Sequence, residues 1–152
     1  MGRRLIKVAG GLALVLAVAQ LVRPDRTNPP LDPSQTIQAY SGAASGLAPV
    51  LDRACGDCHS NATVWPGYAQ VAPLSWLFAY GVAEGRKAVN FSEWGAYSPV
   101  HRQALLGASC RDAVDGKMPG VYTLVRSDTK LSPADIETIC AASRAAGASG
   151  GR

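Results

Sequence analysis

Cys55-Gly56-Asp57-Cys58-His59 is the stretch that decides how this chain reads. C-x-x-C-H is the spacing of a c-type haem attachment site. Two thiols add to the two vinyl groups of one haem, and the next residue places an imidazole on the iron. On a helical turn, positions i, i+3 and i+4 share a face, so Cys55, Cys58 and His59 can all meet one flat porphyrin. A bare C-x-x-C also serves thioredoxin-like redox pairs and half-sites for zinc. The first use needs a βαβ setting, and no such pattern is present. The second needs another cysteine pair, but Cys110 and Cys140 stand far apart and form no second C-x-x-C. His59 directly after Cys58 favours haem over both.

The 152 residues make one small domain plus an N-terminal segment. Residues 1–23 read as an export signal or a membrane anchor. Arg3, Arg4 and Lys7 form a positive start, and Val8 to Val22 is an uncharged apolar run. Ala17-Val18-Ala19 offers a small-x-small cleavage site. The run is shorter than the ~20 residues a spanning helix usually needs, which favours cleavage. Leu5 and Ile6 could lengthen it, which keeps an anchor over residues 5–22 open. This segment carries four basic residues and no acidic one, leaving 11 basic and 11 acidic residues in the remainder. The high pI therefore belongs to the leader, and nothing in the domain's charge points to nucleic acid. Export would place the domain in the periplasm, soluble or tethered to the inner membrane. There, Cys110 and Cys140 could pair as a disulfide or stay as two buried thiols.

Outward from the motif the pattern is mainly α. Residues 24–46, with Pro24, Pro29, Pro30 and Pro33, read as an extended linker that spaces the domain from the membrane or wraps over its surface. A helix is expected from about Leu47 into the haem motif. Residues 61–68 read as loop. A second helix starts near Pro73, with Leu74, Leu77, Phe78 and Val82 at helical spacing. Residues 90–97 are irregular. A third helix is capped by Ser98-Pro99, with Leu106, Cys110 and Val114 on one face and Gly116 as its stop. A last helix begins at Ser132-Pro133 with a capping-box spacing to Asp135, and Ile136, Ile139 and Cys140 face inward. The domain proper spans 47–145, and residues 146–152 read as a frayed tail. No strand is evident.

The second axial ligand decides whether an iron site is closed. Met118, in Gly116-Lys117-Met118-Pro119-Gly120, sits in a stiff turn that can project its thioether. A thioether suits haem iron and raises its potential. The competing view makes Met118 a loop residue packed on the core. His101, in the first turn of a helix, reads as solvent-facing. Trp65, Trp76, Trp94, Tyr68, Phe78 and Phe91 would pack around a porphyrin in a domain with little core of its own. Arg53, Arg86 and Lys87 are candidate propionate partners, as are an indole N–H or the Tyr68 hydroxyl. Asn61-Ala62-Thr63 and Asn90-Phe91-Ser92 match the glycosylation sequon.

Cys55 to Asn61, Thr63, Trp65-Pro66, Tyr68, Val71-Ala72-Pro73, Ser75-Trp76, Asn90 to Trp94 and Gly116-x-Met118-Pro119 together resemble the bacterial haem-binding domain family, small exported or membrane-anchored c-type cytochromes. Arg23-Pro24-x-Arg26-Thr27-Asn28-Pro29-Pro30 fits the same pattern. The resemblance covers about residues 20–145. It implies a small cytochrome c-like helical domain wrapped around one covalent haem c per chain, held by Cys55 and Cys58. His59 would be one axial ligand and Met118 the second, and the N-terminal helix could be retained. Family members often carry Leu-His-Pro soon after the Met-Pro turn. Here Leu124-Val125-Arg126-Ser127 stands instead, and Cys110 and Cys140 are unusual. The resulting expectation is a monohaem electron carrier, not an enzyme, serving redox proteins of the respiratory chain or periplasm. The alternatives are a gas or peroxide sensor or enzyme with an open sixth site, and a haem-free C-x-x-C thiol–disulfide protein.

Overall fold

The structure, a computed structural model, describes residues 2–41 and 46–149. The described residues form α-helices and 3-10 turns without strands. Helix α1 is Gly2–Ala19, α2 Ile37–Ser41, α3 Leu47–Ala54, α4 Gly56–His59, α5 Leu74–Ala88, α6 Pro99–Val114 and α7 Pro133–Ser149. The core lies between α3, α6, α7 and the 3-10 segment Phe91–Ala96, around Leu47, Leu51, Trp94, Leu106 and Ile139. Each fully buried aliphatic side chain there contributes about 1.5–3 kcal/mol. A second cluster, Phe78 and Val82 of α5 with Ala69, packs against Trp65, Tyr68, Tyr122 and Cys58. The two clusters flank the C-x-x-C-H turn.

The helix expected to run through the motif is two helices broken at Cys55, whose backbone (φ −126°, ψ −24°) leaves the helical region. On α5, Phe78 and Val82 are buried as the spacing predicts, but Leu74 and Leu77 are exposed. Ser75, Ala79 and Gly85 take the inner positions instead, because small residues let α5 approach the Cys55–His59 turn. On α6, Leu106 is buried while Val114 is exposed and Ala113 takes the inner place. On α7, Ile139 and Cys140 are buried and Ile136 packs against the core. A reciprocal capping box starts α7: the Ser132 N–H donates to Asp135 Oδ2 (2.8 Å) and the Asp135 N–H to Ser132 Oγ (3.2 Å). Cys110 and Cys140 are disulfide-bonded, with Cα atoms 4.8 Å apart, joining α6 to α7.

The segment 24–46 departs from an extended linker. A 3-10 turn, Pro33–Gln35, and α2 lie within it, and Ile37 is a fully buried core residue. Its first part is strapped to the domain. The Asn28 amide donates to the Thr63 carbonyl (2.9 Å), and Asn61 donates to the Pro30 carbonyl (3.0 Å). Residues 42–45 of the expected linker lie outside the described residues. The C-terminal stretch expected to fray is helical as far as Ser149, and residues 150–152 lie outside the described residues. Helix α1 buries no residue against the domain. No helix among the described residues is long and apolar enough to cross a membrane.

Candidate functional site

The turn after α3 is built so that its reactive side chains emerge together. The Cys55 N–H donates to the Leu51 carbonyl (2.8 Å), while the N–H groups of Cys58 and His59 both donate to the Cys55 carbonyl (3.1 and 3.0 Å). His59 is held by its ring: Nδ1 lies 3.1 Å from the Val89 carbonyl at the end of α5. A carbonyl can only accept, so Nδ1 carries the proton and the Nε2 lone pair is left free. Burial pushes the His59 pKa below its ordinary value, which keeps the ring neutral and able to ligate.

Met118 reaches the same turn from the end of α6. Helix α6 ends in a Schellman cap: the Lys117 N–H donates to Asp112 O (2.9 Å), the Gly116 N–H to Ala113 O (3.2 Å), and Gly116 takes φ +67°. Only glycine adopts that conformation readily, and it turns the chain so that Met118 faces back toward α4. Two adjoining hollows are each lined by Cys55, His59 and Met118. Cys58, Ala54, Asp57, Pro119 and Tyr122 complete the smaller one. Leu51, Val89, Phe91, Leu105 and Ile139 make the larger one mostly apolar. The four residues singled out from sequence therefore converge on one cavity.

The haem-binding domain family model matches residues 14–144. The chain belongs to the haem-binding domain family. No curated protein and no solved structure matches the chain significantly.

The donor set of this haem-binding domain fits the group its family binds: two free thiols, one imidazole with a free nitrogen, and one thioether, around an apolar hollow. Burial pushes the Cys55 thiol up to about 12. Burial, then the adjacent Asp57 charge, pushes Cys58 up to about 11. Thiol–disulfide catalysts need a depressed pKa, because the thiolate is the nucleophile. These thiols are tuned the opposite way, which weighs against the thiol–disulfide reading. His101 is exposed, meets Tyr97 edge-to-face (5.0 Å between ring centroids) and lines neither hollow.

The suggested propionate partners are engaged elsewhere. The Arg86 guanidinium donates to Ser60 O (2.8 Å), Asn28 Oδ1 (2.9 Å), Thr63 Oγ1 (2.8 Å) and Thr27 O (3.5 Å). It clamps the N-terminal strap and the 60–63 loop onto α5. Arg53 pairs with Asp135 (2.8 Å), and Lys87 pairs with Glu84 (2.6 Å). The Trp65 and Trp76 indoles donate to Asn28 Oδ1 (3.1 Å) and Val22 O (2.7 Å). Among the described residues, the Tyr68 hydroxyl is buried without a hydrogen-bond partner, in the cluster that includes Cys58. Both sequon asparagines are buried and bonded to each other (Asn90 Nδ2 to Asn61 Oδ1, 2.8 Å), so they are fold residues and not glycan acceptors.

Two features escaped the sequence. Gly85 packs directly on the haem turn: a Cβ there would lie 2.5 Å from the Cys58 carbonyl oxygen. Asp57, a variable position of the motif, accepts from Tyr122 Oη (2.8 Å) and from Arg126 Nη1 (2.7 Å). Arg126 falls in the stretch that departs from the family pattern. Neither pairing has a sequence signal, because the partners lie 65 and 69 residues apart.

Proposed function

We propose that this haem-binding domain is a monohaem c-type cytochrome that carries electrons in the bacterial periplasm, free or tethered to the inner membrane through residues 5–22. The observation that carries the reading is the convergence of Cys55, Cys58, His59 and Met118 on one apolar cavity. In attachment, each thiol S–H would add across one vinyl double bond, forming a C–S bond with no leaving group. Cys55 and Cys58 would fix the ring, and His59 Nε2 and Met118 Sδ would bind the iron. Bound haem supplies a one-electron couple. The Val89 carbonyl holds the His59 Nδ1 proton, orienting the ring and strengthening Nε2 as a donor. Phe91, Leu51 and Ile139 line the larger hollow with apolar surface, and Met118 would supply the second ligand to the iron. With both positions filled, outer-sphere transfer to redox proteins is favoured over substrate chemistry. Helix α1 adds nothing to the core, which supports a role in export or membrane attachment instead of folding.

The test is carbon monoxide binding and redox titration of the parent and Met118→Ala proteins. The reading expects a reduced parent that resists carbon monoxide, and a variant that binds it with a lower midpoint potential. Ready binding by the natively folded parent would replace the carrier with a ligand-binding protein.

A further inference from the structure

We propose that Asp57, inside the C-x-x-C-H turn, is the positioning residue for Met118: its carboxylate latches the methionine loop to the turn that carries the cysteines and His59. The inference rests on reading Met118 as the sixth ligand.

The loop after α6 has little else to hold it. Met118 is 48 % exposed, Val121 83 % and Leu124 84 %, and the 3-10 turn Gly120–Leu124 contains no buried residue. Apolar burial in this segment is confined to the half-buried Tyr122 ring, which packs against the Phe78 and Val82 cluster. The Schellman cap sets where the loop starts but not where it ends. The Tyr122 ring adds one aromatic contact, 5.7 Å from Phe78 between centroids.

Asp57 makes the direct link. One carboxylate oxygen takes both the Tyr122 hydroxyl and the Arg126 guanidinium. The other takes the Val64 N–H (3.1 Å), and the Asp57 carbonyl takes the Thr63 hydroxyl (2.7 Å). The acceptor is thus anchored from both sides. Its side chain is 11 % exposed, so water screens the pair weakly. Asp128 holds the Arg126 guanidinium from behind (2.7 Å), pre-orienting it for Asp57. The turn that attaches the haem thereby also grips the loop bearing the opposite ligand. An added ligand must displace Met118, and the latch lowers the fraction of molecules in which that loop is away.

Imidazole titration of the ferric, haem-loaded protein tests this, read by the Soret shift and by loss of the methionine-to-iron charge-transfer band. The substitutions sit on the loop side, Tyr122→Phe with Arg126→Met, leaving the attachment motif intact. Hydrogen bonds to a charged group of this kind correspond to about a 10- to 100-fold change, so imidazole affinity should rise by that factor. In a Met118→Ala background the same pair should change it less than about twofold, since no methionine remains to position. Unchanged affinity with Met118 present, or an equal gain in both backgrounds, would overturn the latch. If Met118→Ala alone leaves imidazole affinity unchanged, Met118 is not the ligand, and the latch falls together with that reading.

Discussion

Two glycines on one helix give opposite expectations for the same substitution. Gly81 and Gly85 lie one turn apart on α5. A Cβ on Gly81 meets nothing within 4 Å, whereas one on Gly85 would meet the Cys58 carbonyl oxygen at 2.5 Å and its carbonyl carbon at 3.0 Å. Replacing an interior helical glycine by alanine gains up to about 1 kcal/mol from reduced backbone freedom in the unfolded chain. Gly81→Ala should realise most of that gain. At Gly85 the contact falls about 0.9 Å short of the 3.4 Å at which ordinary contact begins. The atom in the way is backbone of the haem turn, so it cannot rotate aside. Overpacking of this kind costs about 1–3 kcal/mol, which outweighs the helix gain. Gly85→Ala should therefore lose about 1–2 kcal/mol net. For a chain of this size, 1 kcal/mol shifts the midpoint by about 2–6 °C. Thermal unfolding of both haem-loaded variants, followed by far-ultraviolet circular dichroism, reads the difference. The Gly85 variant should also show a perturbed Soret band, because relief of the clash moves Cys58 and His59 relative to Val89. A Gly85→Ala protein as stable as Gly81→Ala, with an unchanged Soret band, would refute the packing argument.

Other expectations follow from the same contacts. Replacing Cys110 and Cys140 by alanine opens a loop of 30 residues' separation and should cost about 3–4 kcal/mol in urea unfolding, with the parent alone sensitive to reductant. Arg86→Met removes the clamp on the N-terminal strap; a loss of about 3 kcal/mol is expected, with faster hydrogen exchange in residues 24–31. The Ser132 N–H and hydroxyl, followed by Arg53, hold the Asp135 carboxyl below the usual carboxylate range. Its folded value lies under its unfolded one, so its stabilisation is complete above about pH 4 and is lost as pH falls through the folded value. Asp135→Asn should therefore be less stable than the parent at pH 7, and the gap should close in acid unfolding curves below about pH 4.

The readable parts of this protein were local ones. C-x-x-C-H marked the turn at which Cys55, Cys58 and His59 gather, because its pattern is written in five consecutive residues. Ser98-Pro99 and Ser132-Pro133-Ala134-Asp135 marked two helix starts through capping, which acts within one turn. Gly116-x-Met118-Pro119 marked the methionine loop through the positive φ that a helix end requires. Long-range pairings were not readable. Ile37 looked like part of a proline-rich linker, yet it plugs the core. Arg86 looked like a propionate partner, yet it is spent on Asn28, Ser60 and Thr63. Leu74 and Leu77 matched a helical stripe, but close approach of α5 to Cys58 demanded small residues and turned those leucines outward. Nothing in the sequence singled out Asp57, because its partners Tyr122 and Arg126 meet it only when the chain has folded back over it.

Covalent attachment of one haem to Cys55 and Cys58, with His59 and Met118 both on the iron, is what the proposed electron carrier requires. It is tested most directly by the visible spectrum of protein exported from a host with c-type haem maturation, recorded oxidised and reduced, before and after acid–acetone extraction. The account predicts colour that stays with the polypeptide and sharp low-spin bands in the reduced native protein. Loss of all colour into the acetone would contradict covalent attachment, and a retained but high-spin spectrum would contradict the closed sixth position.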